Sequence, residues 1–140
     1  MKREDYDEYI RRFNAQDPTA FDEYIADDLH MQNGLLEFDG RQGMRDHYAR
    51  IWSSFSEDLT VERFVSDEQT AAVQMWAHFT ALRDDPESLF GPVRKGHTFD
   101  FRGLIRYDLR DGQFTDIRVA YNSFISTDHE GVVTELGIPH

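Results

Sequence analysis

An α+β domain, in which three helices close the open side of a curved antiparallel sheet around an aromatic-lined pocket, is the fold class this sequence predicts. Three observations lead there. Apolar residues recur at helical spacing through the N-terminal part of the chain, and from Thr60 onward the period changes to two. A length of 140 residues is one domain's worth, so residues 1–140 are expected to share a single core.

Tyr6, Tyr9, Ile10 and Phe13 fall at i, i+3, i+4 and i+7, the stripe of a first helix that Asn14-Ala15-Gln16 ends. Asp17-Pro18 reads as an N-cap followed by proline at the first helical position. The short second helix turns Phe21, Tyr24 and Ile25 inward, and Ala26-Asp27-Asp28 closes it. A brief strand follows from Leu29 to Asn33, then a loop through Gly34 and Asp39-Gly40. Helical spacing returns from Gln42 to Phe55, with Met44, Tyr48, Trp52 and Phe55 in register.

Thr60–Val65 is read as a strand and Thr70–Arg83 as a longer one. Val73, Met75, Ala77 and Phe79 share one face of the longer strand, and Gln74, Trp76, His78 and Thr80 the other. Asp84 to Lys95, with Pro86, Gly91 and Pro92, is a loop long enough for a mobile flap. Alternation resumes from His97 to Leu109, placing His97, Phe99, Phe101, Ile105 and Tyr107 on one face. Gly103 interrupts that bulky row, either as a bulge or as a point of bending and close backbone approach. Asp111-Gly112 is a tight hairpin turn. The last strand, Phe114 to Phe124, turns Ile117, Val119 and Tyr121 inward, and a polar tail runs from Ser126 to His140.

A formal net charge of -12 argues against binding a phosphate backbone or an anionic membrane surface, both of which need clustered Lys and Arg. The absence of Cys removes disulfides, thiolate nucleophiles and thiolate metal ligands. No apolar leader follows Met1-Lys2-Arg3, and no stretch approaches membrane-spanning length, so a cytoplasmic location is expected. No His-x-x-x-His pair, His–carboxylate cluster or Gly-rich phosphate loop is present, and neither a metal nor another cofactor is expected.

Tyr9-Ile10-Arg11-Arg12-Phe13-Asn14-Ala15-Gln16-Asp17, followed by Phe21 and Ala26-Asp27-Asp28, resembles the opening of the nuclear-transport-factor-2-like (NTF2-like, cystatin-like) superfamily. Within it the chain is most similar in style to SnoaL-like polyketide cyclases and ketosteroid isomerases. Gly96-His97-Thr98-Phe99-Asp100-Phe101-Arg102-Gly103, continuing through Tyr107 to Asp111-Gly112-Gln113-Phe114, resembles the paired long strands and hairpin of SnoaL-like proteins. The resemblance implies a cone-shaped domain with a blind apolar pocket, often paired through its convex sheet face. It covers aldol cyclases, isomerases, dehydratases, epoxide hydrolases and non-catalytic proteins, so it does not by itself give a function. Position by position, Tyr9 matches the isomerases' oxyanion-stabilising tyrosine. Asn33 stands where they carry a proton-shuttling aspartate, and an amide takes up no proton. Gly103 lies near their second, protonated acid, and Val119 and Asn122 near the acidic base of SnoaL-type cyclases.

From the residues themselves, three side chains are candidates for catalysis. His97 shares the parity of Phe99 and Phe101 and is either a general acid/base or a rim histidine at a strand start. Tyr9 is either a donor to a developing oxyanion or a core tyrosine whose role Tyr6 could fill instead. Asn33, beside Gln32, either orients a substrate carbonyl or only ends a strand at Gly34. Phe13, Tyr48, Trp52, Met75, Phe79, Phe101, Tyr107 and Tyr121 are the expected walls, with Tyr121 a further candidate to hold the substrate oxygen. Trp76 and His78, on the outward face, mark an expected homodimer seam, while His30, His47 and His140 read as solvated. The leading expectation is a cofactor-independent lyase or isomerase, of cyclase or dehydratase type, acting on a small apolar carbonyl compound such as a polyketide or terpenoid. The alternative is a non-catalytic protein that binds a hydrophobic small molecule.

Overall fold

The computed structural model describes residues 1–137. Helix α1 (Arg3–Asn14) buries the four residues of its predicted stripe, Tyr6, Tyr9, Ile10 and Phe13. Glu4 and Asp5 in its first turn and Arg11 and Arg12 in its last complement the helix dipole. Helix α2 (Thr19–Tyr24) begins one residue later than the sequence indicates, with Pro18 at the N-cap position, and the Asp17 carboxylate ahead of it accepts the Thr19 N–H at 2.9 Å. Ala26-Asp27-Asp28 does not close that helix, because strand β1 (Ile25–Asn33) begins directly at its end. Ile25, Ala26 and Leu29 are all buried, and a register shift between Ile25 and His30 fits them to the sheet.

β2 (Leu36–Asp39) returns from β1 through a turn in which Gly34 has φ +60°. Helix α3 (Gly40–Trp52) therefore lies after two strands rather than in one block with α1 and α2, and it starts and ends earlier than its predicted bounds. Phe55 instead opens β3 (Phe55–Ser66), which pairs with β4 (Thr70–Ala81). The predicted loop after β4 contains a small hairpin, β5 (Asp85–Ser88) with β6 (Gly91–Val93). Its tip residue Phe90 packs on Phe55, Phe79 and Phe99, with ring centroids 4.6–5.3 Å apart, so the flap is anchored by its own aromatic side chain. β7 (Thr98–Arg110) and β8 (Gln113–Thr127) are joined by Asp111 and Gly112, both at positive φ as a type I′ turn requires. Part of the expected polar tail forms β9 (Val133–Glu135) on β8.

The main sheet runs β2-β1-β8-β7-β4-β3. It is mixed rather than wholly antiparallel, since β1 and β8 are parallel. Periodicity reports which residues share a face but not which way a strand runs, so this pairing is invisible to it. Two clusters hold the interior. One joins α1, α2 and the sheet around Phe13, Phe21 and Phe114; the other gathers Phe55, Phe79 and Phe99. Rings such as Phe13 and Phe21, almost wholly removed from water, each contribute about 1.5–3 kcal/mol.

Both readings of Gly103 hold together. Arg102 pairs with Ser123 but Gly103 with Tyr121, leaving Asn122 as an extra residue in β8. A Cβ on Gly103 would sit 2.2 Å from Tyr121 Cα and 2.4 Å from Ala120 O, a backbone approach that only glycine permits. Gly103→Ala is expected to lower the midpoint of urea unfolding by an amount corresponding to about 1–3 kcal/mol. A midpoint shift of under about 0.5 kcal/mol would mean the strands separate there without cost.

Candidate functional site

Between the helices and the concave side of the sheet lies a cavity of about 270 Å³. α1 contributes Tyr9 and Phe13, α3 contributes Met44, His47, Tyr48 and Ile51, and the sheet supplies most of the remaining wall. Of the predicted walls, Phe13, Tyr48, Met75, Phe79, Phe101, Tyr107 and Tyr121 line it. Trp52 does not, because Phe13, Phe21 and Tyr48 pack over its ring at 5.3–6.0 Å. The extra residue in β8 changes the parity of that strand, so that Phe124 joins Tyr121 in facing the cavity.

The three predicted catalytic side chains do not converge. Tyr9 and Asn33 line the cavity, and Tyr6 takes the core position, fully buried with its hydroxyl 2.7 Å from that of Tyr107. Asn33 Oδ1 is buried with no hydrogen-bond partner among the described residues. His97 lies outside the cavity wall. It stacks on Phe99 at 4.5 Å, and its Nε2 shares a 2.6 Å hydrogen bond with Ser126 Oγ. Alternation gives the correct side of β7 for His97 but not its height along the strand, and it precedes β7 beyond the end of the hollow. Burial lowers its pKa, with Asp128 opposing that shift.

The cavity contains two titratable groups that periodicity did not select. Glu57 on β3 is buried at 6% exposure, between the inward residues Phe55 and Leu59. Burial pushes its pKa up to about 8, with the neighbouring Asp58 charge adding to the shift. The nearby Trp52 indole opposes the shift, yet neither Trp52 Nε1 nor Glu57 Oε2 completes a hydrogen bond among the described residues. Tyr9 and Tyr48 line the cavity with Glu57, and a charge on Glu57 would add to the rise that burial gives both phenols. His47, expected in solvent, instead packs between the rings of Phe38 and Tyr48, and its desolvation brings its pKa down to about 4.

Both residues carried a signal. From Met44 the i, i+3, i+4, i+7 rule selects His47, Tyr48 and Ile51, and Glu57 falls within the alternation Phe55-Glu57-Leu59 once the strand is begun at Phe55.

On the convex face, Asp100 Oδ1 accepts the Trp76 Nε1–H and bonds His78 Nδ1, each at 2.7 Å, and the Arg102 guanidinium covers the Trp76 ring at 4.5 Å. Among the described residues no three His, Asp or Glu side chains are placed to hold a metal ion. No helix among them is long and apolar enough to cross a membrane.

The SnoaL-like domain family matches residues 6–117. No curated protein sequence matches the chain. Among solved structures, the chain is similar to a candidate polyketide cyclase from Silicibacter sp. at 22% identity and a TM-score of 0.71, covering 85% of this chain and 87% of that one. An LEH-like epoxide hydrolase from M. tuberculosis is 13% identical with a TM-score of 0.68, covering 84% and 80%. A computationally designed 17-OHP binder is 16% identical with a TM-score of 0.66, covering 94% and 95%. At these identities the likeness is one of fold.

The buried acid carries a stability consequence. Below about pH 4.5 folded and unfolded chains both hold the Glu57 proton. Between about 4.5 and about 8 the unfolded chain releases it while the fold retains it, so stability from this group falls as pH rises through that window and is level above it. Relative to Glu57→Gln, the native protein should lose up to about 1.4 kcal/mol per pH unit across this range in urea titrations. Parallel curves for the two proteins would mean Glu57 is not held as a buried acid.

Proposed function

We propose, from the premise that this chain belongs to the SnoaL-like domain family, that it is a cofactor-independent lyase or isomerase moving a proton on a small apolar carbonyl compound of polyketide or terpenoid kind. The observation that carries this reading is the Glu57 carboxyl, almost wholly buried in the wall of an apolar cavity that Tyr9 and Tyr48 also line. A proton-transfer group works best with a pKa close to ambient pH, and burial brings Glu57 to about 8. In its ionised form it takes a proton from the carbon next to the carbonyl, and the electron pair passes to the carbonyl oxygen. Tyr9, joined by Tyr48 and the amide of Asn33, donates to that oxygen as it gains charge. With a β,γ-unsaturated ketone Glu57 then returns the proton to the γ-carbon as the double bond moves into conjugation, an isomerisation. With a β-hydroxy ketone the electron pair expels the β-hydroxyl, which takes the proton and leaves as water, a dehydration. Tyr121, on the same wall, limits how the ligand lies. His97, outside the hollow, has no step here.

The experiment is hydrogen–deuterium exchange at the α-carbon of a panel of terpenoid and polyketide ketones, followed by NMR. Glu57→Gln should abolish exchange, Tyr9→Phe should slow it about 100-fold, and His97→Gln should leave it within about twofold. Exchange that survives Glu57→Gln and disappears with His97→Gln would reverse these roles.

A second reading, a non-catalytic binder of a hydrophobic molecule, is favoured by one observation: Asn33, not an acid, stands where related isomerases carry their proton shuttle. A tightly held ligand recovered unchanged, with affinity insensitive to Glu57→Gln, would select it.

The same reading includes a pair of copies docked through the convex face around Trp76 and His78. Trp76→Asp should halve the sedimenting mass and leave cavity binding intact; a native protein that sediments as a monomer at high concentration removes the pairing.

A further inference from the structure

Beyond carbonyl chemistry, we propose that the cavity is a binding site for small organic cations, ammonium compounds with an aromatic or aliphatic body, in which Glu57 is the counter-ion and the surrounding rings form the cage. The lining points to this through what it holds unmatched. Glu57 Oε2 and Asn33 Oδ1 are both buried acceptors without a hydrogen bond among the described residues. A ligand that satisfies an orphaned acceptor must bring a donor or a positive charge. No Lys or Arg lines the cavity, so an anionic ligand finds no counter-charge, while a cation meets no competitor for Glu57.

The rings supply the second half of the site. Tyr9, Phe13, Tyr48 and Tyr107 line the same hollow, and aromatic faces attract a cation that has left water. A quaternary ammonium spreads its charge over methyl groups and is weakly hydrated, so it surrenders less on entering than a primary amine does. The chain's net charge of -12 raises the local concentration of any cation around the protein.

Entry of the cation is an exchange. With its pKa near 8, Glu57 holds a proton at neutral pH; that proton leaves to the buffer as the ammonium arrives, and the site is electrically neutral before and after. Ionised Glu57 can then draw the Trp52 N–H, a buried donor that lacks a partner among the described residues. His47 remains neutral above about pH 4 and does not repel the ligand.

The probes are benzyltrimethylammonium and its uncharged isostere neopentylbenzene, titrated calorimetrically into the full chain from pH 6 to 9, the isostere by displacement of the cation. At pH 9 the cation should bind at least tenfold tighter, its affinity falling about tenfold per pH unit below about 8 while that of the isostere stays level. One proton should be released per cation bound at pH 7, read as a heat that varies with the buffer's ionisation enthalpy. Glu57→Gln should erase the charge preference and retain the isostere. Equal affinities, a flat pH profile, absent proton release, unaltered cation binding in Glu57→Gln, or no binding of the cation would each overturn the proposal. The native protein's own pH profile decides it even if the variant fails to fold. No carbonyl turnover enters the measurement, so failure here and failure of the proton-transfer reading are separate results.

Discussion

At Gly103 the backbones of β7 and β8 pass so closely that no side chain fits between them, and the hollow inside the fold depends on that crossing. Protein interiors close to crystal-like density, so a cavity of about 270 Å³ persists only where the backbone forbids collapse. The extra residue Asn122 bends β8 around the crossing and turns both Tyr121 and Phe124 inward. Gly103 itself adds no side chain to the inward row and lines the hollow with backbone alone. One close approach thus sets the sheet's curvature, the parity of its wall and the room within.

Keeping that room open has a cost. Atoms that face the hollow forgo the dispersion contacts that a filled interior would give them. Two aromatic clusters offset it at opposite ends, one around Phe13, Phe21 and Phe114, the other around Phe55, Phe79 and Phe99. Both clusters contribute wall residues, so the scaffold and the site are made of the same rings. A ligand that fills the hollow restores contacts the fold gave up, which is why binding there should be felt as stabilisation.

The elements legible in the sequence are those whose pattern is local. The stripe of α1, the Asp17-Pro18 entry to α2, the alternation of β4 and β7 and the Asp111-Gly112 turn are each set by neighbours a few residues apart. What stayed hidden was relational. The parallel pairing of β1 with β8 depends on how the chain enters the sheet from α2, and alternation carries no direction. His97 has the parity of a wall residue but lies past the end of the wall. Its stacking on Phe99 and bond to Ser126 are tertiary facts that no count along the strand contains. Glu57 escaped because Ser56-Glu57-Asp58 looks like a polar link between helix and strand, although the strand begins before it. His47 escaped because the α3 stripe was drawn through Trp52 instead of Ile51, a rotation of one residue around the helix.

These misplacements share a physical root with the family's variety of chemistry. In a hollow lined from several elements, positions on different strands and helices can present a group to the same interior, so an acid can stand on one element or another while the environment that tunes it stays. Among the described residues no Asp or Glu other than Glu57 lines the cavity beside Asn33, Gly103 and Val119, and that one carboxyl stands on β3, desolvated by its surroundings. Tyr9 lines the same interior from α1, so a group on the helix layer and one on the sheet face a common space. The tuning belongs to the enclosure and not to any one sequence position, so burial and unpaired polar atoms, which the fold creates, are properties that matching positions along the chain does not report.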